Sequence, residues 1–140
     1  MGKEQKKYFG IDFGTTNTTV SYLLEDEYGI KKINCGEDNM PFPSLLAIHK
    51  ENRSVLFGRE VKIKRHQLSK EYHIFSSFKS ILGKDESFFI AGVEYTPTII
   101  TSMFLRCVKL HIEANLNLNI NEAVVAIPND FTPVQRRKLK

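Results

Sequence analysis

The heptapeptide Ile11-Asp12-Phe13-Gly14-Thr15-Thr16-Asn17 follows a short apolar run, Tyr8-Phe9-Gly10, and leads into Thr18-Thr19-Val20-Ser21-Tyr22-Leu23-Leu24. The two flanks read as β-strands and the middle as a tight turn. Gly14 lets the backbone approach a ligand closely. The turn then presents consecutive N–H groups and two hydroxyls, the make-up of an anion nest. Asp12 beside it would repel a phosphate unless a cation intervened. A carboxylate in that place suits Mg²⁺ held through bound water. The competing reading is a polar hairpin turn, because Gly-Thr-Thr alone is common. The conjunction of apolar strand, terminal Asp, Gly-Thr-Thr and returning strand is rarer and favours phosphate binding.

Working outward, Glu25 to Gly29 reads as a second turn and Ile30 to Cys35 as a third strand. The chain thus opens as an antiparallel meander, unlike the strand–turn–helix start of a Rossmann unit or a P-loop protein. Gly36 to Pro43 is a loop interrupted by prolines. Ser44 to His49 and Val55 to Gly58 read as strands, Arg59 to Leu68 as a helix, and 88–95 as a small hairpin. Tyr72 to Leu82 is an apolar mix ending at Gly83. Thr96-Pro97 is an N-cap followed by proline at the first helical position. The stripe Ile99, Ile100, Met103, Phe104, Cys107, Val108 and Ile112 then predicts a helix over 97–115, its Met and aromatic members serving as core. Ala123-Val124-Val125-Ala126-Ile127 fits a strand buried on both faces. Thr132-Pro133 repeats the cap-plus-proline signal and opens a last helix. A mixed sheet is expected from strands 7–12, 18–25 and 31–35, with 123–127 beside 7–12.

The 140 residues suffice for one cored domain, and 41% of them are apolar. No run approaches a membrane span of roughly 20 apolar residues. No segment of signal-peptide type follows Met1 to Lys7, and Lys6 spoils the myristoylation pattern that Gly2 raises. The net charge of +4 is spread, with clusters at Lys62-Lys64-Arg65 and Arg136-Arg137-Lys138-Lys140 that read as solvated helix faces rather than nucleic-acid contacts. Cys35 and Cys107 have no metal spacing, and a reduced, cytoplasmic setting is expected. His49, His66, His73 and His111 read as surface or packing residues.

The segment Phe9 to Thr18 resembles the first phosphate motif of the actin-like ATPases, and more narrowly that of the seventy-kilodalton heat-shock (DnaK-type) chaperones. Four further segments match in order: Phe42-Pro43-Ser44-Leu45-Leu46-Ala47, Phe57-Gly58-Arg59-Glu60-Val61, Phe78-Lys79-Ser80-Ile81-Leu82-Gly83, and Glu122 to Pro128 with Phe131 and Gln135-Arg136. The resemblance covers essentially everything after Lys6. It implies an α/β, ribonuclease-H-like fold and the N-terminal lobe of a nucleotide-binding domain. An inner subdomain would span 7–35 and 96–140, and an outer one about 36–95, trimmed between Gly83 and Gly92.

By the same resemblance, Gly14, Thr15, Thr16 and Asn17 would hold the phosphates of ATP or ADP, and Asp12 would hold Mg²⁺ through water. Lys79 would be the catalytic lysine, with Thr15 and Asp12 also in the catalytic set. Residue chemistry alone reads Lys79 as a solvated surface lysine. Pro128 and Arg136 would form an interdomain switch, although Asn129-Asp130 stands where Ala-Tyr is usual. The family's partners are ATP, unfolded peptide clients, a J-domain cochaperone and a nucleotide exchange factor, with no nucleic acid or membrane among them. The family's second phosphate loop and adenosine motif have no counterpart in these residues. The chain is therefore expected to be a truncation that binds ATP weakly and does not turn it over. Two other readings stay in play: a non-catalytic chaperone-like interaction module, and another actin-like-fold protein such as a sugar kinase or filament protein.

Overall fold

A computed structural model describes residues 7–140; the expectations about the amino-terminal residues before Lys7, Gly2 included, lie outside the described residues. The chain starts as predicted, with β1 (Lys7–Phe13), β2 (Asn17–Asp26) and β3 (Gly29–Asn34) in an antiparallel meander. The short β4 (Phe42–Pro43) also pairs with β2, placing Asn17 opposite Pro43. A separate three-stranded sheet follows, with β5 (Leu45–His49) between β6 (Val55–Phe57) and β7 (Tyr72–Ser76). Helix α1 (Gly58–Leu68) lies between β6 and β7 in sequence and contributes Val61 to the core. The apolar mix expected from Tyr72 resolves into β7 and a run of turns through Gly83. Strands β8 (Phe88–Ile90) and β9 (Val93–Tyr95) form the small hairpin.

Helix α2 (Pro97–Leu116) is capped by Thr96, whose side chain accepts from the Ile99 N–H at 3.3 Å. Asn117, in the left-handed conformation, ends it. Ile100, Phe104, Val108 and Ile112 recur every fourth residue and are all buried. Strand β10 (Ala123–Ala126) then pairs in parallel with β1, from Phe9 opposite Ala123 to Asp12 opposite Ala126. The placement beside β1 agrees with the sequence; the burial does not. Val124 is 77% exposed, because β10 is the outermost strand of its sheet and only Val125 turns toward the core. A continuous apolar run thus marks a sheet edge here, not a strand covered on both faces. Helix α3 (Pro133–Leu139) carries a complete Thr132–Gln135 capping box.

One hydrophobic cluster joins all three sheets. Phe13, Phe78 and Phe104 meet at its centre, with ring centroids 6.0, 6.3 and 5.3 Å apart in the three pairs. Burying each such ring contributes about 1.5–3 kcal/mol. The cluster ties the end of β1, the segment after β7 and the middle of α2 to one another.

Candidate phosphate-binding site

Strand alternation sends Phe13 into that cluster and Asp12 to the surface. The chain then turns sharply at Gly14, where a Cβ would lie 2.1 Å from the Asn17 carbonyl oxygen. Only glycine fits so close a return of backbone on itself. Ser44 fixes the turn from the core side. Its N–H donates to the Thr16 carbonyl at 2.9 Å, and its hydroxyl donates to the Gly14 carbonyl at 2.8 Å. The buried Thr18 hydroxyl meets the Ser44 hydroxyl at 2.9 Å. With two carbonyls tied inward, the turn leaves Thr15, Thr16 and Asn17 exposed.

Lys79 comes to this turn across 66 residues of sequence. Phe78, immersed in the aromatic cluster, anchors the chain one residue earlier. The Lys79 side chain is buried, and its Nζ donates to the Phe13 carbonyl, immediately before Gly14. The ammonium lies 5.6 Å from the Phe13 ring centroid and 5.4 Å from that of Phe131. Both rings face a cation with their negative quadrupole. An ammonium carries three donors, so this bond leaves capacity for an incoming acceptor.

Phe131 connects this lysine to the other predicted residues. Its N–H donates to the half-buried Pro128 carbonyl at 3.2 Å. Arg136 Nε donates to the Phe131 carbonyl at 3.2 Å, and an Arg136 terminal nitrogen donates to the Asn129 carbonyl at 3.3 Å. The turn is therefore pinned at both ends, with its ring on Lys79. Gly83, at φ +86, packs against α3, where a Cβ would meet Val134 and Gln135 at 3.3 Å. Asp12, Gly14 to Asn17, Lys79 and Pro128 to Arg136 thus form one contiguous region. Ser44 and Phe131 were assigned no role by sequence reasoning, although both sit inside the matched motifs. Their residue types are commonplace, and only long-range contacts single them out.

Asp12 fits a cation held through water. Its carboxylate is exposed beside a turn that a Cβ would fill. Among the described residues no three His, Cys, Asp or Glu side chains gather as a metal cage. Mg²⁺ keeps several waters and shares its shell with phosphates, so one nearby carboxylate is a suitable complement. The cysteines play no part: burial raises both thiols, which favours the protonated, unreactive form. The histidines pack as expected, His111 edge-on to Phe42 and His73 stacked on Phe75. Burial and then the Lys50 charge hold His73 below the usual histidine range.

Comparison with known proteins identifies the family of the chain. The family described as Hsp70 protein matches residues 8–140. A similar curated protein is the "Chaperone protein DnaK" of Mycoplasma mycoides subsp. mycoides SC, 32% identical over 140 residues. That match takes in all of this chain and 22% of the relative's own length. The mixed sheet with flanking helices is the layout expected of an actin-like ATPase lobe of this family. The chain belongs to the Hsp70 protein family.

Proposed function

We propose that this chain is the phosphate-gripping lobe of a DnaK-type chaperone ATPase. In this reading Gly14, Thr15, Thr16 and Asn17 hold the β- and γ-phosphates of ATP through N–H groups and hydroxyls. Asp12 would hold Mg²⁺ through its bound water, and the ion would supply charge neutralisation for the nucleotide. Lys79 is the catalytic lysine. The observation that carries the reading is the buried Lys79 ammonium bonded to the carbonyl that starts the turn. From there it can exchange a backbone acceptor for a phosphoryl oxygen and stabilise charge on the transferring group. Pro128 and Arg136 act as the output, because the turn they pin rests on the lysine through Phe131.

The inner subdomain comprises 7–35 and 96–140 and the outer one about 36–95, a division supported by the separate β6-β5-β7 sheet and the 88–95 hairpin. The site is one-sided as it stands, with Asp12, Thr15, Thr16 and Asn17 all exposed. A clamp with one wall orients its substrate poorly. The 140 residues are therefore expected to bind Mg·ATP weakly and to hydrolyse it negligibly. The parent activity would be ATP hydrolysis in a cytoplasmic chaperone serving unfolded peptides, with a J-domain cochaperone and a nucleotide exchange factor as partners.

The test is Lys79→Ala in the protein that carries this chain, followed by single-turnover phosphate release. Hydrolysis should fall by at least a hundredfold while Mg·ADP still binds. Unchanged hydrolysis would overturn the role of Lys79. Absence of hydrolysis in the unsubstituted protein, with Mg·ATP bound, would instead favour a non-catalytic interaction module, a reading to which the exposed Asn129-Asp130 lends itself.

A further inference from the structure

A cleft of about 280 Å³ borders the turn at Gly14, lined by Thr15, Thr16 and Asn17, by Lys62 and Arg65 of α1, and by Ser76 and Ser77; neither Asp12 nor Lys79 lines it. No carboxylate lines it. The other cations of α1 behave differently. Arg59 pairs with Asp38 at 2.8 Å and Lys64 with Glu60 at 2.8 Å. Lys62 and Arg65 have no ion-pair partner among the described residues. Three positions apart on a helix, they are neighbours of like charge, which is unfavourable until an anion joins them. Ser77 adds a further sign: it is a non-glycine residue held at φ +55, a strained conformation of the kind that gathers at ligand sites.

We propose that Lys62, Arg65 and the hydroxyls of Thr15, Ser76 and Ser77 form a second oxyanion site, selective for phosphate groups. Arg65 offers a planar fork that matches two phosphate oxygens, and Lys62 a point charge beside it. The serine and threonine hydroxyls supply neutral donors to the remaining oxygens. The cleft has room for a phosphate with some of its water, at ~30 Å³ per liquid water. The phosphate can come from the end of a bound nucleotide or from solution. The site gives the turn two sources of positive charge, Lys79 at the Phe13 carbonyl and the α1 cations across the cleft. This inference rests on reading Thr15 to Asn17 as a phosphate turn.

Inorganic phosphate titrated into the 140-residue chain at constant ionic strength tests it, with the amide resonances of residues 15–17 and 76–77 as the readout. Saturable shifts are expected at both segments. The double variant Lys62→Gln, Arg65→Gln should raise the dissociation constant at least tenfold; both residues are exposed, so the fold should be retained, as circular dichroism will verify. Competition by Mg·ATP but not by Mg·ADP would identify the terminal nucleotide phosphate as the source. Competition by neither would identify free phosphate. No saturable shift in the unsubstituted chain, or undiminished binding in the double variant, overturns the inference. If Mg·ADP still binds in that event, the nucleotide reading stands without it; if Mg·ADP fails to bind as well, both fall.

Discussion

Two glycines in this chain head turns that return tightly upon them, Gly14 over three residues and Gly36 over four. At Gly14 a Cβ would lie 2.1 Å from the Asn17 carbonyl oxygen; at Gly36 it would lie 1.6 Å from that of Met40. Their surroundings differ in every other respect. The Gly14 turn is tied to the core by the buried Ser44 and Thr18 hydroxyls and approached by the buried Lys79 ammonium. The Gly36 loop carries Glu37 and Asp38, and its cross-link is the exposed Asp38–Arg59 pair. One Glu37 carboxylate oxygen is buried without a hydrogen-bond partner among the described residues. A tight glycine turn is thus a backbone device that serves either charge. What distinguishes the turn proposed as a phosphate site is the cation and hydroxyls brought to it from distant parts of the chain.

The same methyl group placed on both glycines should separate them most strongly. Gly14→Ala and Gly36→Ala should each cost about 1–3 kcal/mol, since the obstructing atom is backbone in both cases. Only Gly14→Ala should also abolish nucleotide binding, measured by calorimetric titration at a temperature where both variants remain folded. Equal loss of binding in the two would erase the distinction. The tethers should separate next. Ser44→Ala leaves the Gly14 carbonyl and Thr18 hydroxyl without their buried partner and should cost about 1–3 kcal/mol in urea denaturation. Asp38→Ala removes an ion pair whose side chains are 50% and 82% exposed, and should cost about 0–1 kcal/mol.

The smallest effect is a pH dependence at the entry to β10, the end of the sheet away from the Gly14 turn. The Ile120 N–H, at 3.0 Å, and then Lys109 hold the Glu113 carboxyl below the usual glutamate range. A depressed carboxyl contributes stability above its unfolded value and loses it as pH falls through the folded one. The protection of the Ile120 amide relative to its intrinsic exchange rate should therefore fall as pH drops below the usual glutamate range, in the segment that leads into β10 beside β1. Glu113→Gln should remove that dependence.

Much of this was legible in the sequence because it is local. The Thr96-Pro97 and Thr132-Pro133 caps, the four-residue spacing of Ile100, Phe104, Val108 and Ile112, and the Gly14 turn each depend on neighbours a few positions away. The ordered motifs also carried Lys79 to the site by resemblance, which its residue type alone could not do. What was not legible depends on distance. Nothing near Val124 tells that its strand is outermost in the sheet, so an apolar run reads as buried. Ser44 is one hydroxyl among many until it is seen reaching Gly14, thirty positions back. Phe131 is one more aromatic until its ring is found over Lys79. Lys62 and Arg65 read as a solvated face, and their position beside Thr15 to Asn17 follows from the antiparallel registry of β4 on β2 and the packing of α1.

We read Asp12 to Asn17, with Lys79, as a phosphate site and not a polar hairpin. Titration of ATP with and without Mg²⁺, followed by the amide resonances of residues 12–17 and the Lys79 side-chain ammonium, tests it most directly. Saturable shifts are expected, confined to the turn and to Lys79, stronger with Mg²⁺ and weakened by Asp12→Asn. Shifts absent from the turn, or unchanged by Mg²⁺ and by Asp12→Asn, would contradict it.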